Sequence, residues 1–417
     1  MSSWSVDSEV GRLRVVMVHQ PGLEHRRTLP WNKDALLFDD VLDIEEARPE
    51  HKQFSMLLAS HGAEVLFLAD LLKEVCRDRD ARECVCREVL GEEVLGRFDP
   101  NDIHPYQLIS GLPERTESAE TFRVEPLPNL YFSRDAAFGV PGAVVISHPF
   151  WPARQREARL VSSIFRRHPR CAGTRVYDGI LCDPAATIEG GDVQVVDPRT
   201  VLVGVGERTN DAGANHLAAF LFANTSVRRV LKLHIPANRV FMHLDTILTF
   251  VDRQQVLTMP YLWDRPALYA DVARLAARQC ADLRFEYRGP SPEMLATPSR
   301  LQVVTPDGVE AEYDNALEGL AVVGAIDPAR TVLVAGDLGE HGSPIEHVIA
   351  ALREQWNDGA NAFALKPGQV MGYSCNDRTG RALERAGVEV VSFKGGELVR
   401  GRGGARCMTM PLDREAA

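Results

Sequence analysis

Cys407 stands in a run rich in glycine and arginine, Gly401-Arg-Gly-Gly-Ala-Arg-Cys-Met-Thr-Met410. Glycine has no Cβ, so such a backbone lets a ligand approach closely. Arg400, Arg402 and Arg406 surround the thiol in sequence. Nearby positive charge lowers a thiol pKa and favours the nucleophilic thiolate. The same segment also suits a buried structural cysteine, so other motifs have to decide.

Three of them carry carboxylates or histidine. Asn129-Leu-Tyr-Phe-Ser-Arg-Asp135 ends in an acid ahead of a β-rich stretch, where a capping role is the plain alternative. Glu189-Gly-Gly-Asp192 sets two carboxylates around a backbone free to turn tightly; a decorated turn would look the same. His243-Leu-Asp245 puts His and Asp two residues apart, hence on one face if the segment is a strand. A histidine aligned with a carboxylate suits acid/base work. None of these has the spacing of a zincin or an EF-hand, and no metal is expected.

Cysteine, histidine and several acids together limit the chemistry. Clustered carboxylates repel the negative charge that develops in ordinary acyl transfer. They suit a cationic substrate. A guanidinium is planar and offers N–H forks that carboxylates accept in pairs. Once it is held, a thiolate can attack its carbon, a histidine can protonate the departing nitrogen, and water can cleave the adduct.

These residues need a frame that gathers them. The segment 12–19 is β-branched and ends at a Gln-Pro-Gly turn; 47–61 reads as a helix stopped by Gly62, and 64–68 as a second strand. Residues 70–122 are densely charged with helical apolar spacing, which predicts a small helical insertion into a catalytic unit formed by 1–69 and 123–417. Beyond it the chain repeats itself. Asp135, Asp192, Asp245 and Asn361 each precede a hairpin, with turns at 141–142, 197–200, 252–255 and 366–369. Helical stretches follow at 152–166, 209–223 and 379–386. The unit is a ββαβ motif repeated around an axis, and the four polar residues are expected to face one central cavity.

Composition is consistent with this. The 417 residues are 45% hydrophobic and 25% charged, with net charge −11. That is an ordinary globular protein with no generally basic face for nucleic acid. No apolar run is long enough to span a bilayer, and the N-terminus lacks a secretory pattern. Eight scattered cysteines without a Cys-x-x-Cys pair read as reduced thiols, so a cytoplasmic location is expected.

Taken in order, the motifs resemble the arginine deiminases of the guanidino-group-modifying superfamily. The resemblance also takes in Leu36-Leu-Phe-Asp-Asp40, Trp151-Pro-Ala-Arg154, Gly206-Glu-Arg-Thr209, Phe241-Met-His-Leu-Asp-Thr246 and Trp356-Asn-Asp-Gly-Ala-Asn361. It implies an α/β fold, specifically a five-bladed pseudo-symmetric α/β propeller. It implies hydrolysis of L-arginine to L-citrulline and ammonia without a cofactor. By motif position Cys407 is the nucleophile and His243 the general acid/base. Asp135 and Asp245 hold the guanidinium, and Glu189 assists binding or proton transfer. Arg154 and Arg208 grip the substrate carboxylate near Asn129, Phe132 lines the pocket, and Gly401 and Arg402 belong to a closing loop. Asp192 is a further expected substrate contact. Residue 406 is Arg where other members carry His. A homo-oligomer acting on a small molecule is expected. An amidinotransferase, an arginine dihydrolase and a non-catalytic arginine-binding protein remain alternatives.

Overall fold

The computed structural model describes residues 4–115, 120–262, 266–297, 299–336 and 342–417. Part of the expected insertion, 116–119, lies outside them.

Five mixed sheets share one pattern: an antiparallel pair whose second strand is extended by a parallel third. Strands Ala137–Val140 and Ala143–Ile146 pair antiparallel, and Val176–Tyr177 adds in parallel. Val193–Asp197 and Thr200–Val205 are joined in the same way by Arg229–His234. Leu248–Asp252 and Gln255–Thr258 are extended by Val332–Leu333, and Phe363–Lys366 and Gln369–Tyr373 by Glu389–Phe393. The fifth sheet joins the chain ends. Leu13–Val18 pairs antiparallel with Met410–Arg414 and parallel with Glu64–Phe67. The strand just after Cys407 is thereby anchored against the strand that opens the fold.

A parallel third strand needs a crossover, and a helix supplies it. Helices Ile44–Ser60, Pro152–Arg167, Asp211–Asn224 and Asp377–Arg385 lie between second and third strands, as the ββαβ reading expected. The sequence interval between the third and fourth hairpin turns is doubled for a visible reason. Helix Pro266–Asp282, hairpin strands Arg300–Thr305 and Gly308–Tyr313, and helix Ala316–Val322 are spliced in before Val332–Leu333. The added hairpin pairs with Arg229–His234 of the preceding sheet, burying an edge that would otherwise be open.

Within 70–122, helices Leu68–Val75 and Arg79–Leu90 lead to a short hairpin, Leu112–Arg115 with Glu120–Val124. The helices share an apolar cluster with helix Pro152–Arg167 and strand Ala143–Ile146. Among the described residues, no helix is long and apolar enough to cross a membrane.

Candidate functional site

Cys407 closes a loop that is held on several sides. Tyr131 Oη donates to Leu398 O at 2.9 Å, and Tyr373 Oη to Gly403 O at 2.8 Å. At Gly403 a Cβ would fall 2.1 Å from the Phe132 ring, so only glycine lets the loop lie on that face. Asn361 arranges the thiol itself. Its Oδ1 accepts from the backbone N of Arg406 and of Cys407, both at 3.0 Å, and its Nδ2 lies 3.2 Å from Sγ. The repeat had placed Asn361 level with the three aspartates; the structure puts it in direct contact with the thiol.

His243 lies between two carboxylates. Its Nε2 is 2.9 Å from Glu189 Oε2 and its Nδ1 is 3.7 Å from Asp135 Oδ1. Gly191 brings the groups together: its N–H donates to Asp135 Oδ1 at 3.1 Å, and a Cβ there would sit 2.6 Å from the imidazole. Burial by itself disfavours the imidazolium, but Asp135, Glu189 and Asp192 outweigh it and push the His243 pKa up to about 9. Burial would raise Glu189, yet Arg208, His243 and Arg154 hold it down to about 2. An ionised acid therefore faces a protonated imidazole at neutral pH.

Cys407, His243 and Asp135 line one narrow cavity together with Asn129, Phe132, Arg154, Arg208, Gly401 and Arg402. Arg154 is already heavily engaged. It donates to Asp135 Oδ2 at 2.6 Å, to Glu157 Oε2 at 2.9 Å, and to the carbonyls of Asn129 and Phe132. Its visible role is to orient Asp135. Arg208 Nη1 is 3.5 Å from Glu189 Oε2. Asn129 Nδ2 donates to Leu36 O at 2.7 Å, tying the 36–40 motif to the wall. Arg402 adopts a left-handed backbone with φ 59° and stacks its guanidinium 4.0 Å over the exposed Trp356 ring.

Sequence reasoning missed Leu37, Asp39, Arg239 and Met242, which also line the cavity. Asp39 and Arg239 form an ion pair at 3.0 Å. The only available signal was position: Met242 adjoins His243, and Asp39 lies inside a motif that had no assigned role.

Three expectations are corrected. Of the four repeat residues expected to face one cavity, Asp135 lines it, whereas Asp192, Asp245 and Asn361 do not. Asp192 accepts from Leu244 N at 2.8 Å and so fixes the backbone beside His243. Residues Leu244–Thr246 form a 3₁₀ turn instead of a strand, which sends His243 and Asp245 to different partners. His243 meets Glu189, whereas Asp245 Oδ2 accepts from Arg406 at 2.8 Å and lies 3.7 Å from Cys407 Sγ. The arginines near Cys407 in sequence do not lower its pKa. Arg406 turns to Glu9 and Asp245, and Arg400 turns to Asp40 and Glu397. Burial, with Asp245, Asp135 and Asp358 behind it, raises the thiol well above its ordinary value.

Ligand atoms of Asp135, Glu189 and His243 lie within 4.8 Å of one another, close enough to share a cation. Arg154 and Arg208 already supply the positive charge beside them, and the imidazole holds its proton, which disfavours a metal ion. A buried thiol, an imidazolium and several acids match a planar organic cation better.

Known proteins point the same way. The family described as "Arginine deiminase" matches residues 34–100, 101–288 and 333–414. The arginine deiminase of Mycobacterium bovis (strain BCG / Pasteur 1173P2) is 37% identical over 439 aligned positions, covering 98% of each chain. Among solved structures, the substrate-bound mutant N-terminal domain of ArgZ, an arginine dihydrolase of cyanobacteria, superposes with TM-score 0.53 at 13% identity, over 96% of this chain and 98% of that one. AgrE in complex with ornithine and NAD+ gives TM-score 0.53 at 14% identity; 97% of this chain is covered but only 40% of AgrE, so the chain spans about two fifths of that protein. The two structural likenesses carry the α/β fold alone. The family match and the end-to-end identity carry more: this chain belongs to the arginine deiminase family.

Proposed function

We propose that this protein hydrolyses L-arginine to L-citrulline and ammonia through a covalent intermediate on Cys407. The observation that carries the reading is one narrow cavity lined at once by the thiol, His243 and Asp135. Membership of the arginine deiminase family supports it.

The side chains divide the work. Asp135, oriented by Arg154, and Asp245 receive the guanidinium. Arg208 faces the carboxylate end of the amino acid, and Phe132 packs on its aliphatic stem. In the empty site burial first, and then the surrounding acids, disfavour the thiolate. A bound guanidinium adds positive charge beside sulfur and favours the thiolate, the thiol proton passing to solvent. Sulfur then bonds to the guanidinium carbon. The imidazolium of His243 gives its proton to a terminal nitrogen, the C–N bond breaks and ammonia leaves. Glu189 stabilises the imidazolium before that transfer. Neutral His243 next takes a proton from water as the oxygen bonds to the same carbon. The C–S bond breaks as the adduct's hydroxyl becomes the carbonyl of citrulline, and its proton passes to the departing sulfur, restoring the thiol.

The five sheets are read as blades of a pseudo-fivefold α/β propeller with the site on its axis. Their shared strand order and the pairing of the two chain ends support this. The free thiols among the described cysteines support a reducing, cytoplasmic setting.

The test is product analysis with purified protein and arginine, with and without glycine. Citrulline with one ammonia per turnover is expected. Ornithine with glycine dependence would indicate amidino transfer, and ornithine without it a dihydrolase. Arginine binding without product would leave a non-catalytic binder. Any of those three outcomes ends the deiminase reading.

A further inference from the structure

We infer that Arg406 is a positioning residue that holds Asp245 so that one carboxylate oxygen is kept for the substrate guanidinium. The inference rests on the proposed reading that the substrate is a guanidinium.

Arg406 directly precedes the nucleophile in sequence, and its side chain is fully buried. Every arm of its fork is engaged. Nε donates to Glu9 Oε1 at 2.7 Å, Nη2 to Val193 O at 2.7 Å, and Nη1 to Asp245 Oδ2 at 2.8 Å, with Gly191 O at 3.5 Å. The planar guanidinium therefore fixes the plane of the Asp245 carboxylate as well as its place. The other oxygen, Asp245 Oδ1, is buried with no hydrogen-bond partner among the described residues. An acceptor left bare in a protein interior is costly, and such atoms in native structures call for a reason. Oδ1 belongs to the carboxylate whose Oδ2 lies 3.7 Å from the thiol, so a donor bound against Cys407 is well placed to satisfy it.

The charges agree with this arrangement. Arg406 stands between two acids, Glu9 and Asp245. Glu9 comes from the N-terminal segment and also faces Arg134 and Arg414. With Glu9 balancing Arg406, the charge of Asp245 remains available to an incoming cation. Cys407, Arg134 and Asp358 are also within electrostatic reach of Asp245.

The test is steady-state arginine turnover across pH for wild type, Arg406→Met, Arg406→Lys and Glu9→Gln, with thermal melts to confirm folding. Arg406→Met should raise KM by about tenfold or more, because a buried charge loses its partner. Arg406→Lys, which keeps the charge but loses the fork, should raise KM less. Should Arg406→Met not fold, Glu9→Gln decides. Glu9 does not line the cavity, yet its loss leaves the full charge of Arg406 on Asp245 and should raise KM. A merely structural role would lower melting temperature and kcat without moving KM, and that result overturns the inference. Wild type that neither binds nor turns over arginine would instead remove the functional reading, and this inference with it.

Discussion

Glu189 Oε2 lies 2.9 Å from His243 Nε2, with both side chains buried. Contact with this carboxylate, together with Asp135 and Asp192, overcomes burial and carries the imidazole from its ordinary 6.5 up to about 9. Because the proposed chemistry uses the imidazolium as an acid, kcat/KM should fall as pH rises through about 9. Glu189→Gln removes the charge but keeps the shape, and should bring that alkaline limb down by about one unit or more. A pH–rate profile for both proteins measures it; an unmoved limb would show that Glu189 does not tune His243.

The same pair makes a statement about stability. A group whose folded pKa is raised stabilises fully below its unfolded value and loses that contribution as pH climbs through the folded one. For His243 the window runs from about 6.5 to about 9. The gap in melting temperature between wild type and His243→Asn should therefore be widest below that window and narrow across it. A gap independent of pH would contradict the raised imidazole.

Cys407→Ser tests the nucleophile. Serine nearly preserves volume but supplies a far weaker nucleophile, so turnover should fall by about a thousandfold or more. Arginine binding, read by calorimetry, should survive, since the acids that hold the cation are untouched. Substantial remaining activity would mean that sulfur does not bond to the substrate.

Asn361→Ala tests how the thiol is held. The change removes the acceptor shared by the Arg406 and Cys407 amides and the donor 3.2 Å from Sγ. Two buried N–H groups left unpaired should cost about 2 kcal/mol or more, seen in denaturant unfolding. Turnover should fall more than affinity, because Asn361 positions the attacking atom and does not line the cavity. Equal losses in kcat and binding, or none, would rule out that role.

Much of the frame is legible in the chain read linearly. Hairpin turns such as Pro141-Gly142 and Pro367-Gly368, with glycine at φ 69° and 71°, are local events set by backbone sterics. So are β-branched arms and the helices that follow them. The order of Asp135, Glu189, His243 and Cys407 along these repeats already indicates a thiol and acids meeting over a cation. The partners of each side chain are another matter. Asp192 and Asp135 hold equivalent places in the repeat, yet one fixes the Leu244 amide and the other faces the cavity. Arg406 stands beside the thiol in sequence, but it turns to Glu9 and Asp245, residues brought in from distant strands and turns. That choice reverses the expected charge around Cys407: acids, not arginines, dominate its surroundings. Periodicity depends on neighbours a few residues away. Hydrogen bonds, burial and pKa depend on groups hundreds of residues apart that meet only when the chain closes on itself.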